Sequence, residues 1–206
     1  MDESWVSHFM PETKQQSKQW SAKGAKPPRK AKRVESQKKL MYVLFFDSKG
    51  PIYQHFVPKG TTVNTGTYIK ILKKFHQLHL IKRPERFDEN GESIVEWFFH
   101  QDNAPAHKSG KTMLWMAVEG WNVLIHSPYS PDAAPCDFWA FPVLKRRLAG
   151  QKMEDDDEMK WAVMTEFARM CKEGGKDGKE GLGFVFDMWE KRMRRCVENG
   201  GDYVEK

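Results

Sequence analysis

Two carboxylates in this sequence stand where chemistry is usually found. Asp102 lies three residues beyond the apolar run Ile94-Val-Glu-Trp-Phe-Phe99, and Asp137 closes a proline-rich segment and opens a helical stretch. An acidic residue directly after a buried strand sits at the C-terminal edge of a sheet, where active sites of α/β proteins gather. Thirty-four residues separate the two, enough for one strand and two crossings, so both can return to the same edge. Carboxylates gathered there suit the hydrolysis and transfer of phosphodiesters. That chemistry is served by two hard divalent ions, about 3.5–4 Å apart, held by oxygen ligands. Each residue alone also has an ordinary structural role. Asp137 suits the first turn of a helix, worth about 1 kcal/mol, and Asp102 suits an Asx-turn before Ala104-Pro105. By spacing alone the third carboxylate is Asp47, which also follows a buried strand.

The elements needed to position these groups can be read from pattern. Residues 3–9 alternate loosely, as a strand does. Residues 40–46 (Leu-Met-Tyr-Val-Leu-Phe-Phe) form a continuous apolar run of strand length, as expected where both faces are covered. A turn at 47–50 and a second run at 51–57 make a hairpin. Residues 61–80 read as a helix with Tyr68, Ile71, Leu72 and Phe75 on one face and Asn64 or Thr65 as cap. Strands at 94–99 and 121–126 alternate with a short helix at 108–119. Residues 127–135 hold three prolines and form a rigid irregular loop. Helices follow at 136–149, 155–171 and 184–199, the last two flanking a glycine- and lysine-rich loop at 174–183. Strands first and then alternating elements imply an α/β fold, a mixed sheet flanked by helices.

Composition narrows the function. The chain has 206 residues, 39% hydrophobic and 13% aromatic, enough to build a sizeable core. A net charge of +6 favours a polyanionic partner. The basic stretch 23–39, where Glu35 is the sole acid, is the charge run read as functional. Lys26, Arg29, Lys30, Lys32 and Arg33 are its candidate DNA contacts. No run approaches the roughly 18 apolar residues of a membrane span, and no signal-peptide pattern opens the chain. Cys136, Cys171 and Cys196 have neither zinc nor disulfide-framework spacing, which points to a reducing compartment.

Longer motifs bring these residues together. His100-Gln-Asp-Asn-Ala-Pro-Ala-His107 and Pro128-Tyr-Ser-Pro-Asp-Ala-Ala-Pro-Cys-Asp-Phe138, at this separation, resemble the signature of mariner-type DNA transposases. Phe45-Phe-Asp-Ser-Lys-Gly50, Gly60-Thr-Thr-Val-Asn64, Lys82-Arg-Pro84 and Trp189-Glu-Lys-Arg192 extend the resemblance over nearly the whole chain. It implies an RNase H-like catalytic domain over 1–206, with 14–39 as a basic loop or arm and 150–206 as a C-terminal helical part. It also places the last two members of an aspartate triad on Asp102 and Asp137.

The first member falls on Asp2, because Met1-Asp-Glu-Ser-Trp-Val6 matches the family's first strand. Asp47 then falls in a hairpin turn, and Asp132 is a turn residue. The activity implied is cut-and-paste transposition. Two Mg²⁺ or Mn²⁺ ions held by Asp2, Asp102 and Asp137 assist cleavage at a transposon end, and the freed 3′-hydroxyl then attacks target DNA. The partners implied are transposon-end and target DNA and a second copy of the chain, in the nucleus, with no membrane and no small-molecule substrate. His100 and His107 are read as loop stabilisers that can orient a phosphate or a carboxylate, and Asn103 as a loop hydrogen bonder.

The family's N-terminal helix-turn-helix region is expected to be absent, since the sequence starts one residue before Asp2. An aspartate so near a terminus is well placed only if its strand is tied down. The alternative reading is an inactive remnant or a domesticated DNA-binding module that keeps the fold.

Overall fold

The structure is a computed structural model describing residues 1–11, 39–174 and 181–202. The five basic residues named above as DNA contacts lie outside these. Along the chain come β1 (Asp2–Ser7), β2 (Lys39–Asp47), β3 (Gly50–Val57), α1 (Thr65–Lys82), β4 (Phe98–His100) and α2 (Gly110–Val118). They are followed by β5 (Asn122–Leu124), α3 (Phe141–Leu148), α4 (Asp156–Glu173) and α5 (Gly183–Glu198).

Strand β2 organises the molecule. Its side chains alternate between the two faces of the sheet. Leu40, Tyr42 and Leu44 pack with Leu144, Phe167 and Val185 from the three C-terminal helices. Val43 and Phe45 pack on the other side with Tyr68, Leu72 and Phe75 of α1 and Met116 of α2. Both faces are therefore covered, which is why the run carries no polar alternation. Rings sharpen the second core, with Phe45 stacked on Phe75 at 4.6 Å between centroids.

β1 pairs antiparallel with β2, placing Asp2 opposite Leu44, and β2 turns into β3 with Asp47 opposite Gly50. Gly50 has φ 126°, a conformation open to glycine and strained for other residues. β4 and β5 pair in parallel. The strands form two hydrogen-bonded sheets, of three and two strands, where one mixed sheet was expected. The Met1 amino group links them here, donating to the His100 carbonyl at 2.7 Å.

Other elements are shorter than their apolar patterns suggested. The strand expected at 94–99 is confined to Phe98–His100. Ile94 and Val95 are exposed, because the chain before them folds on itself in a Phe87–Ser93 bridge and leaves them without a sheet partner. The strand expected at 121–126 likewise stops at Leu124. Helix α1 starts at Thr65 rather than at 61, since the Asn64 carboxamide caps it by accepting from the Thr67 N–H at 3.0 Å.

The helix expected at 136–149 opens instead as a π turn over Cys136–Ala140, with the Phe141 N–H donating to the Cys136 carbonyl. Pro142 explains this widening. It has no N–H for the Phe138 carbonyl, so regular α geometry cannot run through it.

A candidate metal and DNA site at the edge of the strands

The three predicted aspartates come from three separate elements. Asp2 is the first residue of β1, held by the ladder to β2 and by the adjacent Met1–His100 bond. Asp102 lies just past the C-terminal end of β4. Asp137 sits in the π turn that follows the proline-rich loop. The carboxyl groups of Asp2, Asp137 and Asp102 act on one another electrostatically. Asp102 and Asp137 line one open concavity of about 460 Å³, together with Asn103, Lys108, His126 and Tyr129.

Asp102 is held by specific donors. Its Oδ1 accepts from the Ala104 N–H at 2.9 Å, the Asx-turn read from sequence, and from His107 Nδ1 at 2.5 Å. His107 is buried, and its Nε2 bonds Glu3 Oε1 at 3.1 Å. The histidine thus ties β1 to the loop after β4, and it packs on the Tyr68 ring at 4.2 Å. Burial opposes the imidazolium, but the hydrogen bonds to Asp102 and Glu3 outweigh it and raise the His107 pKa to about 9. The His107 hydrogen bond in turn lowers the Asp102 pKa below its ordinary value.

Asp2 has the opposite character. Burial, then the charge of Asp137, with smaller contributions from Glu3 and Asp102, push it up to about 8. Asp137 is also raised, chiefly by burial. Lys145 is the nearby cation. Its Nζ donates to Ser4 Oγ at 2.6 Å; burial lowers its pKa, and Asp137 and Asp2 act against that. Burial first, and then neighbouring carboxylates, thus hold Asp2 and Asp137 above the ordinary carboxylate range, and a divalent cation would favour their ionised forms.

Among the described residues no three His, Cys, Asp or Glu side chains already close on one point as a metal cage. Magnesium does not require one, because it binds through one or two carboxylates with water and substrate phosphate completing the shell.

The loop carrying Asp137 is fastened from the C-terminal helix. The Trp189 indole N–H donates to the Ala133 carbonyl at 2.7 Å, and Arg192 donates to the Asp132 carbonyl at 3.3 Å. The Arg192 guanidinium also lies over the Phe138 ring at 4.4 Å, and Trp189 packs on His100 at 4.8 Å. On the other side the Asn103 amide donates to the His126 carbonyl at 2.7 Å, the loop bond read for it from sequence. His100, whose pKa is pushed to about 3 by burial first and then by the Met1 amine, faces His126 at 3.1 Å.

Sequence reading missed Glu3, Lys145 and the fastening role of Trp189. Glu3 adjoins Asp2, and Lys145 lies eight residues beyond Asp137 on the helix it opens; those positions were the available signals.

Asp47, the carboxylate favoured by spacing alone, is engaged elsewhere. Arg83 grips it at 2.7 and 2.8 Å and Arg86 at 2.9 Å. Despite burial, the Arg83 hydrogen bonds hold its pKa below the usual value. Removing it strands two guanidinium groups, of which Arg83 is 9% exposed. Asp47→Ala is therefore expected to cost about 3–5 kcal/mol, read as a lower urea midpoint with an unchanged slope.

The chain is similar to known proteins. Residues 10–88 match the family described as "Transposase (partial DDE domain)". The mariner Mos1 transposase of Drosophila mauritiana is 30% identical over 207 residues, covering 99% of this chain and 55% of that protein. The crystal structure of the Mos1 mariner paired end complex with Mn superposes with a TM-score of 0.80 at 27% identity, over 98% of this chain and 55% of the other. That of the Mos1 catalytic domain gives 0.71 at 25% identity, over 98% and 81%. The fold is RNase H-like. This chain spans about half the length of the Mos1 protein.

Proposed function

We propose that this chain, a homologue of the mariner-type transposases along its length, is the part of such an enzyme that cuts and rejoins DNA. What supports the reading is that Asp102 and Asp137, from separate elements, line one open concavity, and that Asp2 of a third element interacts electrostatically with both. Two Mg²⁺ or Mn²⁺ ions held by these carboxylates would stabilise charge on the attacking and leaving oxygens of the phosphodiester. The Mn complex of the similar Mos1 protein supports the assignment.

The protein's own groups hold that arrangement. His107 and the Ala104 amide occupy Asp102 Oδ1 and leave Oδ2 for an ion. Lys145 limits repulsion between Asp2 and Asp137, and Lys108, at the rim of the concavity, is placed to meet a backbone phosphate. Water attacks the phosphodiester at the transposon end and frees a 3′-hydroxyl, which attacks target DNA in the same site. No covalent protein intermediate is needed. Lysine and arginine contacts supply affinity that falls steeply with salt, Lys26, Arg29, Lys30, Lys32 and Arg33 among them. A homodimer acting in the nucleus on transposon ends and target DNA completes the reading. Among the described residues no helix is long and apolar enough to cross a membrane.

The test is divalent-metal-dependent nicking of a duplex carrying the transposon terminus, against a double variant of Asp102 and Asp137. Cleavage by the unaltered chain alone supports the reading. Equal, background cleavage by both proteins sinks it, and DNA binding that persists without cleavage identifies a binding module. A subtler outcome is expected for Trp189→Phe, which keeps the ring but loses the donor to Ala133. Stability should fall by about 1 kcal/mol. Cleavage should drop by about tenfold, because small misplacements of reacting groups are costly. Parallel kcat and Tm measurements check this.

A further inference from the structure

Tyr129 is the one non-glycine residue among the described residues with positive φ, at 54°. The left-handed region disfavours a large side chain, and the fold recovers little by burial, because the residue is 90% exposed. The loop is nevertheless held at both flanks. The His126 carbonyl accepts from Asn103, the Ala133 N–H donates to the Ser130 carbonyl at 3.0 Å, and Trp189 fastens Ala133. Pro128 and Pro131 stiffen the segment between. A strained residue kept in place by its surroundings, beside a site, points to function. Tyr129 lines the same concavity as Asp102, Asp137 and Lys108.

We propose that the Tyr129 ring is a stacking platform for a DNA base next to the phosphodiester that this concavity receives, an inference resting on the DNA-cleaving reading above. A strand whose phosphate lies at the carboxylates must bring a neighbouring nucleotide to the rim. A rigidly presented aromatic face there accepts any base, since every base has a π-face. Tyrosine also loses little rotamer freedom on contact. The base must expose a face, so the partner is an unpaired or splayed nucleotide at a junction or nick.

The probe is a labelled synthetic DNA duplex ending in a short single-stranded overhang, bound without divalent metal and followed by fluorescence anisotropy. Abasic sites are placed one at a time at the nucleotides flanking the junction. For the unaltered chain, one abasic position should weaken binding by roughly tenfold. The same position should make no difference to Tyr129→Ala, and Tyr129→Trp should retain the sensitivity. Tyr129→Gly suits the left-handed backbone, so it should keep the original Tm while losing the abasic sensitivity, which separates stacking from folding. Abasic penalties identical in the unaltered chain and Tyr129→Ala at every position overturn the proposal. So does a loss in Tyr129→Phe as large as in Tyr129→Ala, because the ring would then not be the contact. Metal-dependent nicking, scored separately with the Asp102 and Asp137 variants, decides the cleavage reading on its own, so either can fail alone. Absence of any DNA binding overturns both.

Discussion

Asp102→Ala and Asp137→Ala are each expected to reduce metal-dependent strand cleavage by at least about 10³-fold while leaving the protein folded. Removing one preorganised electrostatic group from an active site commonly costs about 10²–10³ in rate, and losing a ligand weakens the hold on the ions serving both the attacking and leaving oxygens. Stability should move little, because neither carboxylate supports the core. Burial first and then the charge of Asp102 raise the Asp137 pKa, so its removal takes away an unfavourable charge. Asp102→Ala leaves His107 with Glu3 as its remaining partner, and a small loss is expected there. Asp2→Asn should resemble Asp137→Ala, with cleavage lost and fold kept. Asp47→Ala should do the reverse, losing stability but not metal dependence in the folded fraction. The measurements are single-turnover nicking and urea unfolding on the same preparations. An Asp2→Asn protein that cleaves normally would falsify the triad assignment and return the search to another carboxylate.

The second large effect concerns metal and pH together. Asp2 has a folded pKa of about 8 against 3.8 for an ordinary aspartate. Below 3.8 both folded and unfolded states hold the proton, and no difference arises. Between 3.8 and about 8 the unfolded chain loses it first, so rising pH favours unfolding. His107 acts in the same direction: its pKa rises from 6.5 to about 9, so its stabilising contribution, complete below 6.5, is lost as pH climbs through 9. His100, lowered to about 3, and His79, lowered to about 4, act the other way below 6.5, so in chelator Tm should fall only above about pH 6.5, on through about pH 8 to 9.

A divalent ion binds the ionised carboxylates and displaces protons, so its stabilising effect should grow over the same window. At one hundred times the dissociation constant, binding adds about 2.7 kcal/mol. In a chain of this size that is a rise of roughly 5–10 °C. Thermal melts with and without Mn²⁺, from about pH 5 to about pH 8, read the effect directly. A metal-induced shift that persists undiminished in the Asp102 and Asp137 double variant would place the ion elsewhere.

Much of this molecule was legible from residue order. A continuous apolar run located β2 and a second run after a turn located β3, while helical stretches located α1, α4 and α5, because buried surface must be apolar whatever lies opposite. The motifs around Asp102 and Asp137 pointed to one chemistry through their resemblance, at this separation, to the mariner-type signature.

Tertiary structure decided what depends on partners distant in sequence. Ile94 and Val95 look like strand residues but find no neighbouring strand. Pro142 lies within a helix-like pattern, yet its missing donor turns the chain at Asp137 into a π turn. The approach of Asp2 to Asp137, the His107 bridge between Glu3 and Asp102, and the capture of Asp47 by Arg83 and Arg86 also join segments far apart in the chain. Sequence by itself determined which carboxylates were available and on which kind of turn each would sit. Only the packed fold decided which of them remain uncompensated, because charge balance in an interior is set by neighbours in space.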